Sequence, residues 1–213
     1  MSAVNAAREA LDFKVSCRFT EFIKSMEVWK LMYSKEALKE VVREKALEFG
    51  DFVLASGKKA SFYLDCRKVT LDSRGARLVA QGILQLIGDE LPDAIGGMAI
   101  GADPITASIL TEADMQGKSL RGFIVRKEAK EHGKGNQVEG PVDSGDRVII
   151  VEDVVTTGGS SLKAIEHVEA AGLKVERVIA IIDRLSGGRE AFAAKGYELQ
   201  TLLTIEDFGI SLE

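Results

Sequence analysis

The sequence predicts an α/β fold built on a mostly parallel sheet, and three observations carry that expectation. The run Arg147-Val148-Ile149-Ile150-Val151 is apolar after its first residue and meets two carboxylates, Glu152 and Asp153, before a hydroxyl- and glycine-rich turn and a helix-like segment. Such an unbroken apolar run is what a parallel strand buried on both faces requires. Short β-branched runs alternate with stretches of helical spacing through the rest of the chain, the rhythm of strand–helix–strand units with helices on both faces of a sheet. The 213 residues also fit one domain, large enough to bury a substantial core.

Each element has its own justification. Residues 1–31 are a mixed polar and apolar segment without strong caps. Ser34 reads as the N-cap of a first helix, with Ala37 at its N3 position, so no capping box forms. Leu38, Val41, Val42 and Ala46 keep helical spacing up to Phe49-Gly50, where Gly50 can end the helix. Phe52 to Leu54 and Ser61 to Leu64 read as short strands joined by a turn at Ser56-Gly57-Lys58-Lys59, a hairpin with an aromatic face on the core. Ser73 then caps a long amphipathic helix carrying Leu78, Val79, Ile83, Leu84 and Ile87, stopped near Pro92.

From there the pattern alternates. Ala94 to Ile100 is a strand, Pro104 to Ala113 a helix with Pro104 at its first position, and Arg121 to Val125 a strand. A polar loop follows over roughly Lys127 to Gly140. Strand 147–151, helix 160–171, strand Val175 to Ile182, helix Gly188 to Lys195, strand Leu199 to Leu203 and a short C-terminal helix complete the expectation.

Composition narrows the function. A net charge of −5 gives no electrostatic reason to expect nucleic-acid binding. Cys17 and Cys66 are too few for a disulfide framework and read as reduced thiols. No apolar run approaches a membrane span and no secretory pattern opens the chain, so a cytoplasmic protein that leaves membranes alone is expected.

The chemistry concentrates after strand 147–151. Thr156, Thr157, Gly158, Gly159 and Ser160 would offer backbone N–H groups and hydroxyls at a helix N-terminus, which suits a phosphate. Glu152 and Asp153 stand just before that cradle, where two carboxylates repel a phosphate unless they face other groups. Ribose hydroxyls, directly or through a divalent metal, are the natural partner, so the string reads as a sugar-phosphate site. An ordinary strand–turn–helix would leave adjacent acids at a strand end without a partner, which is costly. Neither G-x-x-x-x-G-K-[ST] nor a strand-linked G-x-G-x-x-G occurs.

A second cluster, Arg126-Lys127-Glu128-Ala129-Lys130-Glu131-His132-Gly133-Lys134-Gly135, begins where a strand ends. A charge run of this kind is ordinarily a solvated face. Here it crowds cations into an acidic chain, with glycines at 133, 135 and 140. It could close over a polyanion such as pyrophosphate and exclude water. The pair Asp183-Arg184 ends another strand; it reads either as a structural ion pair or as an arginine offered to a carboxylate or carbonyl ligand.

The string from Val148 to Ser160 resembles the phosphoribosyl-pyrophosphate (PRPP) motif of the type I phosphoribosyltransferases. The pattern Arg-Lys-x-x-Lys-x-His-Gly at Arg126, Lys127, Lys130, His132 and Gly133 resembles the catalytic loop of the orotate branch of that family. The segment Phe52 to Tyr63 is similar to the one these enzymes carry beside the base, although Ala55 stands where many relatives place a lysine. Gly101-Ala102-Asp103-Pro104-Ile105 resembles a pyrophosphate-side loop found in one branch, without the lysine of another. The resemblance spans about residues 32 to 213.

It implies a central, mostly parallel sheet flanked by helices, a small N-terminal hood and a flexible catalytic loop. It implies transfer of phosphoribose from PRPP to orotate in pyrimidine biosynthesis by a homodimer whose loops cross to the neighbouring subunit. Magnesium would be held mainly through PRPP, with no direct protein ligand. Catalysis would rest on Lys130, Glu152 and Asp153. PRPP would be bound by Arg126, Lys127, Lys130, His132, Glu152, Asp153, Val154, Val155, Thr156, Thr157, Gly158, Gly159 and Ser160. Orotate would meet Thr156, Arg184, Phe62 and Tyr63. Rival readings are a phosphoribosyltransferase for another base and a PRPP-binding regulator. His167, inside a helix, is expected to be structural. Residues 1–31 match nothing in the family and are expected to be a loosely attached extension or to follow from a misassigned start.

Overall fold

The computed structural model describes residues 33–53, 59–128 and 137–211. Expectations for residues 1–31, Ala55, the turn at 56–58, Lys130 and His132 lie outside the described residues. Ser34–Glu213 make one compact unit.

Helix α1 (Lys35–Lys45) starts as expected: Ser34 is extended and its hydroxyl accepts the Ala37 N–H at 3.2 Å. Leu38, Val41 and Val42 are buried. The helix stops earlier than its spacing suggests, at Ala46, and Phe49-Gly50 lies in strand β1 (Leu47–Val53). The reason is pairing: Leu47, Glu48 and Phe49 register against Leu64, Tyr63 and Phe62 of β2 (Lys59–Leu64) in an antiparallel ribbon. This two-stranded ribbon is separate from the main sheet and supplies the small N-terminal layer. Phe52 and Tyr63 pair their rings 5.7 Å apart.

A single turn that the pattern did not announce, α2 (Arg67–Thr70), leads into α3 (Ser73–Ile87). Asp72, rather than Ser73, is the cap of α3, its Oδ1 accepting the N–H groups of Arg74 and Gly75 at 3.1 and 3.0 Å. An aspartate caps as well as a serine, and Asp72 directly precedes Ser73.

The main sheet has six strands in the order β5-β4-β3-β6-β7-β8. They are β3 (Ala94–Met98), β4 (Arg121–Val125), β5 (Val138–Glu139), β6 (Arg147–Val155), β7 (Lys174–Asp183) and β8 (Leu199–Thr204). All neighbours are parallel except the two-residue edge strand β5, which runs antiparallel to β4 and was hidden in the polar loop. The intervening helices are α4 (Ala102–Met115), α5 (Gly159–Ala170) and α6 (Gly188–Ala194), and a 3₁₀ turn (Ile205–Phe208) closes the chain. Pro104 is the third residue of α4 rather than its first. The residue's missing N–H is harmless at either place, because the first-turn donors have no intrahelical partner.

The chain order moves outward from β3 to β4 but from β6 to β7 in the opposite sense. Right-handed crossovers therefore put α4 and α5 on opposite faces. Side chains alternate along a strand. Val148 and Ile150 accordingly join a core with Ala164, Ile165 and Val168 of α5, while the equally buried Ile149 and Val151 face the other layer. Among the described residues no helix is long and apolar enough to cross a membrane.

Candidate active site

The site forms at the carboxyl edge of the sheet, where open α/β sheets place their ligands. Strand β6 runs further than its apolar run predicted: Glu152 registers against Ala180, Val154 against Ile182 and Val155 against Asp183. Both acids are thus part of the ladder, with fixed backbones. Glu152 is 7% exposed. Its Oε2 accepts a hydrogen bond from the Ser161 hydroxyl at 2.7 Å, and its Oε1 accepts the Asp153 N–H at 3.3 Å. Burial pushes the Glu152 carboxyl up to about 7; the Ser161 hydrogen bond opposes that rise and the Asp153 charge adds to it. Asp153 Oδ1 accepts the Val154 N–H at 2.8 Å.

The turn after β6 is a cradle of about 150 Å³, lined by Thr156, Thr157, Gly158, Gly159, Ser160 and Ser161 together with Glu152, Val154 and Val155. Gly158 makes the turn with φ +77°, and a Cβ there would lie 3.1 Å from Cζ of Phe192. Only glycine meets both conditions at low cost. The first N–H groups of α5 have no carbonyl partner within the helix and are available to an anion.

Beside the cradle, sharing Glu152, Val154 and Ser160 with it, is a cleft of about 380 Å³. Tyr63, Asp65, Arg67, Gly101, Lys127 and Asp153 are among its walls. Lys127 lines the same cleft as Glu152 and Asp153. Arg126 stands at the base of the loop, its backbone N–H donating to Gln137 O at 2.8 Å and its guanidinium pairing with Glu139 at 3.3 Å. Gly101 lines the cleft; Asp103 does not, and its half-buried carboxyl is pushed up by desolvation.

Arg184 follows β7 directly. Its backbone N–H donates to Val155 O at 2.8 Å, clipping the ends of β7 and β6 together. Its guanidinium lies 4.7 Å from the centre of the Phe62 ring, and its Nε is buried with no hydrogen-bond partner among the described residues. The ion pair within Asp183-Arg184 does not form. Asp183, fully buried, instead accepts the Leu185 N–H at 2.8 Å and pairs with Arg189 at 3.4 Å. Arg184 is left with a planar, half-buried fork over an aromatic ring, an arrangement suited to a flat anion.

Three residues of the site went unnoticed in the sequence. Ser161 is a plain helix serine until the fold sets it against Glu152. Asp65 and Arg67 follow the aromatic pair as Asp-x-Arg, a spacing that lets one side chain grip the other; that was the available signal. His167 meets the Gln137 side chain at 3.2 Å, tying α5 to the far stem of the loop. Cys66 is a buried free thiol, pushed well up by burial and by Asp153 and Asp65, and so is unreactive. Cys17 lies outside the described residues.

A parallel sheet carrying an acid pair and a phosphate cradle at its carboxyl edge defines the class, and residues 71–207 match the model of the phosphoribosyl transferase domain. The chain is 58% identical over 176 residues to the orotate phosphoribosyltransferase of Rhodopirellula baltica, covering 80% of this chain and 91% of that one. A crystal structure of the Mycobacterium tuberculosis orotate phosphoribosyltransferase superposes with a TM-score of 0.75 at 35% identity, covering 83% of this chain and 99% of that one. The same mycobacterial enzyme in complex with PRPP gives a TM-score of 0.71 at 32% identity over 83% and 99% of the two chains. The chain belongs to the orotate phosphoribosyltransferase family.

Proposed function

We infer that the protein transfers the 5-phosphoribosyl group from PRPP to orotate, giving orotidine 5′-monophosphate and pyrophosphate, in de novo pyrimidine biosynthesis. The observation that carries the reading is that the glycine-rich turn 156–160, the acid pair Glu152–Asp153 and Arg184, which lies over Phe62, all stand at the carboxyl ends of two neighbouring strands.

No cluster of three or more His, Cys, Asp or Glu side chains suited to a metal occurs among the described residues. Magnesium would be held mainly through PRPP, and the two adjacent carboxylates of Glu152 and Asp153 are the groups that would face it. When bound, magnesium neutralises the leaving pyrophosphate. The chain's own residues do the rest by position and charge. The bond from the anomeric carbon to pyrophosphate breaks with its electron pair leaving on oxygen, and the orotate ring nitrogen bonds the carbon as positive charge develops there, its proton passing to the departing pyrophosphate or to solvent. Glu152 and Asp153 hold the ribose hydroxyls beside that charge. Residues Thr156 to Ser160 anchor the 5′-phosphate. Arg184 grips orotate, with Thr156 at its edge and Phe62 and Tyr63 as the wall. Lys127, with Lys130 and His132 of the loop, faces the pyrophosphate, and Lys130 eases its departure.

The reading extends to a cytoplasmic homodimer in which Arg126 serves the neighbouring subunit's site. The loop pattern Arg126 to Gly133 supports the exchange of loops between subunits. Absorbance loss of orotate in the presence of PRPP and Mg²⁺, with adenine, guanine and uracil alongside, tests the function. Consumption of another base in place of orotate would overturn the assignment of Arg184.

A further inference from the structure

We propose that Arg67, steered by Asp65, is a pyrophosphate-positioning residue of this active site. The proposal rests on the phosphoribosyl-transfer reading above and adds a subsite residue to it.

The cleft beside the acid pair must receive the most highly charged part of PRPP, yet its described walls are short of cations. Glu152 and Asp153 stand on one side, and Gly101 brings no side chain at all. A Cβ at Gly101 would lie 3.3 Å from Asp153 Oδ1, so this loop approaches the acids with bare backbone and adds no positive charge. The cations that do line the cleft are Lys127 and Arg67. Asp65, Cys66 and Arg67 line this cleft together with Glu152 and Asp153, which places the Asp65–Arg67 turn beside the acid pair.

The turn is built to aim the arginine. Asp65 follows the end of β2 and is held by its backbone N–H, which donates to Ala46 O at 3.0 Å. Its carboxylate grips Arg67 at two nitrogens, Nε to Oδ1 at 2.8 Å and Nη2 to Oδ2 at 3.1 Å, and Oδ1 also accepts the Arg67 backbone N–H at 3.2 Å. The carboxylate is largely covered, with 17% of its side chain exposed against 57% for Arg67. One edge of the guanidinium is therefore anchored. Nη1 donates to none of the described residues. A surface ion pair used only for stability gains little; an arginine pinned along one edge retains donors for phosphate oxygens and loses little freedom on binding them.

The test measures binding of magnesium pyrophosphate to the full-length protein by calorimetry, together with KM for PRPP and for orotate, in wild type, Arg67→Gln, Arg67→Lys and Asp65→Asn. The expected result is a loss of tenfold or more in pyrophosphate affinity and a matching rise in the PRPP KM for Arg67→Gln. The orotate KM should stay within threefold. Arg67→Lys should recover part of the loss, and Asp65→Asn, which keeps the guanidinium, should lose less than Arg67→Gln. Unchanged pyrophosphate affinity in Arg67→Gln overturns the proposal. So does an equal loss in Arg67→Gln and Asp65→Asn accompanied by equally lowered melting temperatures, which marks a purely structural pair. Should Arg67→Gln not fold, wild-type pyrophosphate affinity and PRPP KM in Asp65→Asn together with wild-type values in Arg67→Lys likewise overturn it. A wild type that binds pyrophosphate tightly but leaves orotate unconsumed overturns the orotate reading and leaves Arg67 in place.

Discussion

The Ser161 hydroxyl donates a 2.7 Å hydrogen bond to Glu152 Oε2, and both groups are buried. That bond favours the charged carboxylate against burial and the neighbouring Asp153, which favour the neutral acid and win, leaving the group near neutrality at about 7. Removing the donor tips the balance further. Ser161→Ala should shift the acidic limb of the free-enzyme kcat/KM profile to higher pH, measured across pH 5.5 to 9. An unmoved limb would mean that Glu152 does not set it.

The same carboxyl makes a stability prediction with a definite sign. Its folded value, about 7, lies above the usual 4.5. The folded state therefore holds a proton that the unfolded chain has released between those values, and stability falls as pH rises through that window. Each pH unit of such a difference is worth about 1.4 kcal/mol. Glu152→Gln, which cannot ionise, should melt higher than wild type at pH 8, with the gap closing toward pH 4.5. Its activity should be severely reduced. Parallel melting curves for the two proteins at every pH would reject this account.

Arg184 has a buried Nε without a hydrogen-bond partner among the described residues, which on the proposed assignment leaves it free for the ligand. Replacing a charged hydrogen-bonding group costs roughly 1.5–3 kcal/mol. Arg184→Gln should therefore lower kcat/KM for orotate by about 10- to 100-fold, with most of the loss in the orotate KM and little change in that for PRPP. A loss shared equally between the two substrates would place the arginine elsewhere.

Gly158 sits in a left-handed turn against Phe192. Gly158→Ala imposes both backbone strain, on the order of 1 kcal/mol, and a close approach to the Phe192 ring. The expected outcome is a lowered melting temperature and a PRPP KM raised at least tenfold. Unchanged PRPP kinetics would remove the cradle from phosphate binding.

Lys130→Ala should lower turnover far more than it weakens PRPP binding, read from single-turnover rates against equilibrium affinity. Near-normal turnover would sink the role given to this lysine.

Much of this arrangement was legible because the informative residues repeat at short range. The apolar run into Glu152 and Asp153 and the glycine-rich turn after it are local facts, and β4, β6 and α5 fell close to their expected positions. Local patterns also explain the differences. Glu152 to Val155 did not read as strand because two acids interrupt the apolar run; the ladder to β7 carries them regardless. Leu47 to Phe49 kept helical spacing, and only pairing with Phe62 to Leu64 made them a strand. A four-residue helix such as α2 has too few positions for a periodic signal. Which partner Asp183 chooses depends on Arg189, six residues on across a turn, and the adjacency of Asp183 and Arg184 alone left both an ion pair and a ligand-facing arginine open.

The hydrogen bond from Arg184 N–H to Val155 O ties the strand end that carries the proposed base-binding arginine to the strand end that opens the proposed phosphate cradle. Adjacent strands are held about 4.8 Å apart by their own backbone bonds, a length that side-chain replacement does not alter. On the proposed assignment the sheet edge would serve as a gauge for nucleotides: variants would change what is recognised at either end, while the span between the ends is set by the β-ladder itself.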